Sequence, residues 1–337
     1  MTRAKIEPFA LFAALLCATP THAQSDAVAE FYRGKTVNVL IGVGVGGEYD
    51  IQARLVARHI GKHIPGNPTV VAQNMTGAGG LRMINYLYNV AAKDGTYIGM
   101  IANAFPAMQA VGASGVQFDA GKMQWIGSIA PVNETLAVWH TAGVKTIDDV
   151  RRRETVAGAS ARGAITFIYP QMMNELLGTR FKIVTGYPGG NEINLAMERG
   201  EVEARNNTWS SWKATKAAWL KENKINIIAQ AGPRAADLDA PSVEDAARTP
   251  QERQMIELVV SGTQLGRPLA TNAAPPERVA ALRAAYAATM KDPEFLAEAK
   301  ALNFEVSPVL GEPMQRIVEK VLATPKDLAA KAKGLME

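Results

Sequence analysis

The stretch VLIGVGVGGEYD, residues 39–50, passes from an apolar run through clustered glycines into amphipathic sequence. Gly42, Gly44 and Gly47 fit the spacing G-x-G-x-x-G, the turn by which a strand and a helix cradle a dinucleotide pyrophosphate. That chemistry also requires an acidic side chain about 20 positions further on, at the end of the second strand, to hold the ribose hydroxyls. None stands between Asp50 and Asp94, and the second apolar run ends in Gln73-Asn74. No Gly-Lys-Ser/Thr follows the glycines, so a P-loop is excluded as well.

Two readings remain for Gly44, Gly46 and Gly47. Either they only make a tight strand-to-helix turn, or they bare N–H groups at a helix start, where the partial positive charge favours a carboxylate as readily as a phosphate. Recurrence supports the second reading. NMTGAGG (residues 74–80) follows the second apolar run, Ser160-Ala161-Arg162-Gly163 follows TVAGA, and GYPGGN (residues 186–191) follows FKIVT. Four strands thus end in small, glycine-bearing loops that open helices, two in each half of the chain. In open α/β sheets such carboxyl ends are where ligands bind.

The candidate contacts follow from these loops. Val43, Gly44, Gly46 and Gly47 come from the first loop and Ala78, Gly79 and Gly80 from the second. Ser160 and Gly163 come from the third, and Tyr187, Gly189, Gly190 and Asn191 from the fourth. Asp50, in the first turn of a helix, either complements the helix dipole or orients N–H groups and waters around a ligand. Arg162 has the fork geometry for a two-pronged bond to a carboxylate, or is a solvated surface residue. Asn206, Asn207 and Thr208 follow the strand-like VEA, where cleft contacts are expected. Phe105 either stacks on an aromatic ligand or fills the hinge. Ser160 and Thr166 are also ordinary capping residues. Trp209, Trp212 and Trp219 have the spacing of helix packing.

Catalytic and metal chemistry find little support. His59 and His63 stand four apart on one helix, but with no H-E-x-x-H arrangement and no third ligand nearby they read as a solvated face. No G-x-S-x-G occurs, and no histidine follows His140. No cofactor is expected.

The elements that position these loops alternate. Residues 36–43 read as a buried strand and 50–64 as an amphipathic helix stopped by PGNP at 65–68. A strand at 69–73, a helix carrying Leu81, Ile84, Leu87 and Tyr88, and a strand at 97–102 come next. A run from Trp125 to Ile129 is expected to carry the chain into a second lobe. That lobe holds strands at 136–140, 155–159, 181–185 and 225–230 and helices at 165–177 and 192–199. A polar return at 232–257 leads to a short strand at 268–271 and helices at 276–290 and 293–301. A last helix near 313–322 is expected to fold back on the first lobe. The fold class is therefore α/β, two lobes, each a doubly wound and mostly parallel sheet, with a ligand cleft between them. The expected boundaries are 24–124 with 246–337 for the first lobe and 125–245 for the second.

The chain has 337 residues, 47% hydrophobic and 20% charged, which suits two domains. Its start has the pattern of a secretory signal peptide over residues 1–23: Arg3 and Lys5, an apolar run of about ten residues, then Thr21-His22-Ala23. Removal of that segment also removes Cys17, the sole cysteine, leaving neither a disulfide nor a thiolate metal site. The formal net charge of +4 is weak and dispersed, so no nucleic-acid footprint is present.

The runs GKTVNVLIGVGVGGEYDIQARLVARHI, QNMTGAGGLRMINYLYNVAAKDGTYIG and GYPGGNEINLAMERGEVEARNNTW resemble the Bug-type periplasmic solute-binding proteins of tripartite tricarboxylate transporters. The resemblance extends from about residue 31 to residue 323. It implies a two-lobed periplasmic-binding-protein fold that closes on a small carboxylate and presents it to integral membrane permease subunits, as a monomer in the periplasm. The family's first loop, an aromatic, any residue, then Pro-Gly-Gly-x-x-Asp, is met by Val43, Gly44, Val45, Gly46, Gly47 and Asp50. Val43 and Val45 replace the aromatic and the proline. The second loop is met by residues 77–80 with Thr76 in place of proline, and Glu203 stands where the family carries an aspartate. An extracytoplasmic enzyme or a ligand-sensing subunit of the same fold is the competing reading.

Overall fold

The computed structural model describes residues 21–336; residues 1–20, the bulk of the expected signal peptide, lie outside them. The first lobe comprises α1 (Thr21–Tyr32), β1 (Thr36–Ile41), α2 (Glu48–Ile60), β2 (Thr69–Asn74), α3 (Leu81–Asn89), β3 (Tyr97–Met100), α4 (Phe105–Ala110) and β4 (Gln124–Ser128). The second comprises β5 (Glu134–Trp139), α5 (Ile147–Arg152), β6 (Thr155–Gly158), α6 (Ile165–Leu177), β7 (Phe181–Val184) and α7 (Gly190–Glu198). It continues through β8 (Ala204–Thr208), α8 (Trp209–Thr215), α9 (Ala217–Lys221) and β9 (Ile225–Ala231). The chain returns through α10 (Pro250–Val260), β10 (Leu269–Thr271), α11 (Pro276–Thr289), α12 (Pro293–Ala301), β11 (Val309–Leu310), α13 (Gly311–Leu322) and α14 (Lys326–Met336). Among the described residues no helix is long and apolar enough to cross a membrane.

Two sheets result, in the orders β11-β4-β10-β3-β1-β2 and β7-β6-β8-β5-β9. In each, the strand that enters directly after a lobe crossing runs against its neighbours: β5 is antiparallel to β8 and β9, and β10 to β3 and β4. The reason is geometric. A chain leaving one sheet at its carboxyl edge meets the other sheet at the edge facing it, and must run away from that edge. The rest of each sheet is parallel, except for the two-residue β11.

Residues 125–128, expected in the second lobe, belong to the first sheet, where β4 pairs with β10. The crossing comes just after, at residues 129–133. Nothing local reveals this, because the partner strand lies about 140 positions downstream and sheet pairing at that distance leaves no mark on the strand's own sequence.

Alternation places the side chains of β1 on two faces. Val37, Val39 and Ile41 join α2, α11 and α12 residues such as Leu55, Leu282 and Phe295 in one core. Leu40 joins Met83, Ile84 and Phe105 in another, which continues past Met108, Met314 and Met336 to Ile168 and Met172 of the second lobe and Ile256 of α10. The outer face of the second sheet packs Ile193, Met197, Trp212 and Trp219. α14 lies against α6 and α10 and also touches α4 of the first lobe, and so spans the two lobes.

The two crossing segments run side by side, joined by Val132 N–H to Thr263 O at 2.9 Å. Gly266 sits there at φ +64°, and a Cβ added to it would lie 1.9 Å from the Ala130 carbonyl oxygen. Gly266→Ala should therefore destabilise the fold by about 2–4 kcal/mol, backbone strain adding to overpacking. Urea denaturation with an unchanged m-value and a lowered midpoint is the expected readout.

Candidate cleft site

Gly47 caps α2 without any side-chain hydrogen bond, so the free N–H groups of the first turn face the space between the lobes. Asp50, in that turn, is directed inward. Its Oδ2 accepts Gly46 N–H at 2.9 Å, and its Oδ1 accepts Arg54 Nε at 3.0 Å and Asn74 Nδ2 at 2.9 Å. Asn74 also donates to Val43 O at 2.9 Å. This ties residues 43–47 to the end of β2. Burial alone would raise the Asp50 carboxyl, but the hydrogen bonds from Arg54, Gly46 and Asn74 outweigh it and hold the group below its ordinary value of 3.8.

A carboxyl lowered in the folded state stabilises above its unfolded pKa, and that contribution is lost as pH falls through the folded value. Stability should thus drop on the acid side of pH 3.8, and Asp50→Asn should flatten that limb of the stability–pH curve. Chemical denaturation between pH 2 and 6 provides the check.

The neighbouring Glu48 bridges the lobes. It is 4% exposed, and its Oε1 accepts Ser210 Oγ–H at 2.6 Å and Gln52 Nε2 at 3.0 Å. Its Oε2 accepts Thr208 Oγ1–H and, at 2.8 Å, Arg267 Nη2. Arg267, 3% exposed, lies 4.1 Å above the Tyr49 ring and 3.7 Å from Glu134 Oε1. Burial opposes the Arg267 charge, but Tyr49, Glu48 and Glu134 outweigh it and raise its pKa. Burial pushes Glu134 up, countered in part by Arg267 and by Asn206 Nδ2, which donates to it at 2.7 Å. Burial likewise lowers Arg205 to about 10. The Arg205 guanidinium donates to Gly190 O and Asn194 Oδ1 and lies 5.2 Å from the Trp212 ring.

The seam is closed by main chain as well. Gly44 N–H donates to Pro188 O at 3.3 Å, and Asn191 Nδ2 donates to Val45 O at 3.1 Å. Inside lies a cavity with about 80 Å³ open to the centres of water-sized molecules. One water needs roughly 10–15 Å³ on that measure, so the space suits a small metabolite. Four helix starts reach it: Gly47 and Glu48 of α2, Gly79 of the short turn before α3, Ala164 and Ile165 of α6, and Gly189 and Gly190 of α7.

Of the residues singled out from sequence, Val43, Gly47, Gly79, Ser160, Thr166, Gly189, Gly190, Asn191, Asn206 and Asn207 line the cavity. Gly44 and Gly46 form the seam, and Asp50 braces the loop from behind. Ala78 and Gly80 shape the turn with positive φ, Gly80 lying against Phe105. Phe105 is buried beside Phe118, ring centres 5.6 Å apart, in the apolar core and not in a hinge. Arg162 is exposed, its guanidinium 5.5 Å from the Phe167 ring, and Gly163 packs on Met108. Tyr187 packs against the outer core of the second sheet. Glu203 pairs with Arg153, away from the cavity.

His59 and His63 meet a different partner from the water expected for them. Their Nε2 atoms lie 2.7 Å from Glu298 and 2.8 Å from Asp292, both on or beside α12. His59, Asp292 and Glu294 come close enough to hold a cation, and the Lys62 ammonium sits 2.6 Å from both carboxylates. Trp212 of α8 and Trp219 of α9 pack in the core with ring centres 6.0 Å apart, the helix breaking at Lys216 between them, so two helices make a contact that the spacing suggested for one.

Sequence reasoning passed over Glu48, Glu134, Arg205 and Arg267, all buried at the cleft, and the half-buried Tyr49. A signal was present: a glutamate beside the glycine pair, and charged residues at the ends of strand-like runs, both poor choices for a core unless paired.

Neither a protein-family model nor a curated protein matches the chain. Solved structures do. The periplasmic binding protein BugD superposes with a TM-score of 0.71 at 19% identity, covering 89% of this chain and 98% of its own. Rpa4515 of R. palustris, solved with adipate, gives 0.68 at 20% identity, covering 88% and 97%. MatC of Rhodopseudomonas palustris, with bound malate, gives 0.68 at 17% identity, covering 88% and 99%. The chain therefore has the two-lobed α/β fold of the periplasmic binding proteins, over nearly the whole length of each of these relatives.

Proposed function

We propose that the chain is a Bug-type extracytoplasmic solute-binding protein that encloses a small carboxylate between its lobes and delivers it to the integral membrane permease of a tripartite tricarboxylate-type transporter. The observation that carries this reading is the convergence of four helix starts on one partly open cavity at the carboxyl edges of two sheets. Unsatisfied N–H groups with a shared positive field form a seat for an anion, and they need no cofactor. The adipate and malate bound by structural relatives support a carboxylate as that anion. In this reading Gly47, Gly79, Gly189, Gly190 and Asn191 contact the ligand, with Ser160 and Asn207 beside them. Gly44, Gly46, Asp50, Ala78 and Gly80 hold the loops in shape. The protein works in the periplasm as a monomer, and closing is driven by contacts that only the closed form makes.

Thermal-shift screening of the mature chain against mono-, di- and tricarboxylates and aromatic acids tests the proposal. A matching acid at a hundred times its Kd should stabilise by about 2.7 kcal/mol, and mass spectrometry should return it unchanged. Conversion of the acid would establish an enzyme instead, and no stabilisation by any acid would overturn carboxylate binding.

A further inference from the structure

We infer that the cavity selects a ligand with one carboxylate and an otherwise uncharged body, and that Glu48 is the residue that turns away a second carboxylate. The inference rests on the carboxylate-binding reading above. A dicarboxylate needs two anion seats, and the cationic side chains at this cavity are already engaged, Arg267 by the chain's own acids and Arg205 by carbonyl and amide oxygens. Arg267 holds Glu48 Oε2 at 2.8 Å and faces Glu134 Oε1 at 3.7 Å. Arg205 is directed to the Gly190 carbonyl, to Asn194 Oδ1 and to the Asn206 carbonyl. No lysine lines the cavity. A third carboxylate, Glu192, has a buried Oε2 without a hydrogen-bond partner, 3.3 Å from the point a Cβ on Gly189 would occupy.

The helix starts supply the seat for one carboxylate without any side-chain cation. A second would enter beside Glu48, itself a wall of the cavity, in surroundings where like charges repel far more than in water. The polar atoms left unpartnered at the wall include Arg267 Nε and Nη1 and Asn207 Nδ2. These are donors, and with the guanidinium charge already balanced they suit a hydroxyl or carbonyl oxygen. The apolar Val43, Tyr49, Ala102, Ile165 and Ile193 share the rest of the wall with uncharged polar residues such as Thr166, Ser211 and Thr215.

Isothermal titration of the mature protein with the matched pairs butyrate and succinate, and hexanoate and adipate, tests this. The monocarboxylate of each pair is expected to bind at least about tenfold tighter, one decade in Kd. Glu48→Gln, which frees Arg267 to meet a second carboxylate, should cut that preference by at least about tenfold. Equal or tighter binding of the dicarboxylates by the wild type would overturn the inference while leaving carboxylate binding intact. An unchanged preference in a Glu48→Gln variant with native circular dichroism would remove Glu48 from it. Should that variant fail to fold, the wild-type pairs decide alone. Failure of all four acids to bind, with other carboxylates failing too, would instead sink the function proposed above and this inference with it.

Discussion

Arg267→Met should lower the free energy of unfolding by about 3–5 kcal/mol, the range seen when one partner of a buried ion pair is removed. The side chain is 3% exposed and faces Glu48 at 4% and Glu134 at 0% exposure. Methionine fills much of the volume but removes the countercharge that Glu48 and Glu134 share, and Glu134 is already raised by burial. Part of the loss should return in the variant that also carries Glu48→Gln, because the uncompensated charge is then smaller. Guanidinium denaturation of the single and double variants measures both. An additive double variant would mean that Arg267 stabilises the fold by packing on Tyr49 and not through Glu48.

Gly47→Val should weaken ligand binding by two decades or more, about 3 kcal/mol, while the fold stays intact. Gly47 has φ −78° and ψ 167°, which any residue adopts, and a Cβ there meets nothing within 4 Å. The space it would enter is therefore open, at a residue that lines the cavity. Two methyl groups there cover the first N–H groups of α2, so an anion loses its donors and its room together. Gly46 makes a useful contrast. It has φ +81°, and a Cβ would strike Asn191 Nδ2 at 2.4 Å, so substitution there disturbs the seam itself. Titration of Gly47→Val with the ligand found by screening, alongside its unfolding curve, separates the two effects. Unchanged affinity would mean that the glycine serves the turn alone.

Much of the architecture was legible because local signals and tertiary demand agree. The strands 36–41 and 69–74, the break at 65–68 and the helix starts after glycine-bearing loops all follow from periodicity and turn chemistry. The strand β8, ARNNT, was not legible as a strand. Asparagine and arginine are poor strand formers, and only the centre of a sheet, with Glu134 opposite Thr208, makes that sequence extended and buried. The glycine loops were visible for the same reason that they matter: exposed backbone is a local property of sequence. The charges behind them were not, since Glu48, Glu134, Arg205 and Arg267 become a group only when 219 positions of chain are folded together. A side chain whose worth depends on partners so far away carries no pattern of its own.

The apolar core that passes from the first lobe through Met108 and Met336 to Ile168 and Ile256 limits how the molecule opens. Two lobes joined by bare crossing strands swing widely. Here α14 rests on α6 and α10 and also on α4 of the first lobe, and a wide swing would bring the Met108 side of that packing into water. Under the proposed function, solute release would thus be a rocking motion about this apolar flank, with the cleft mouth opening while the methionines opposite stay dry.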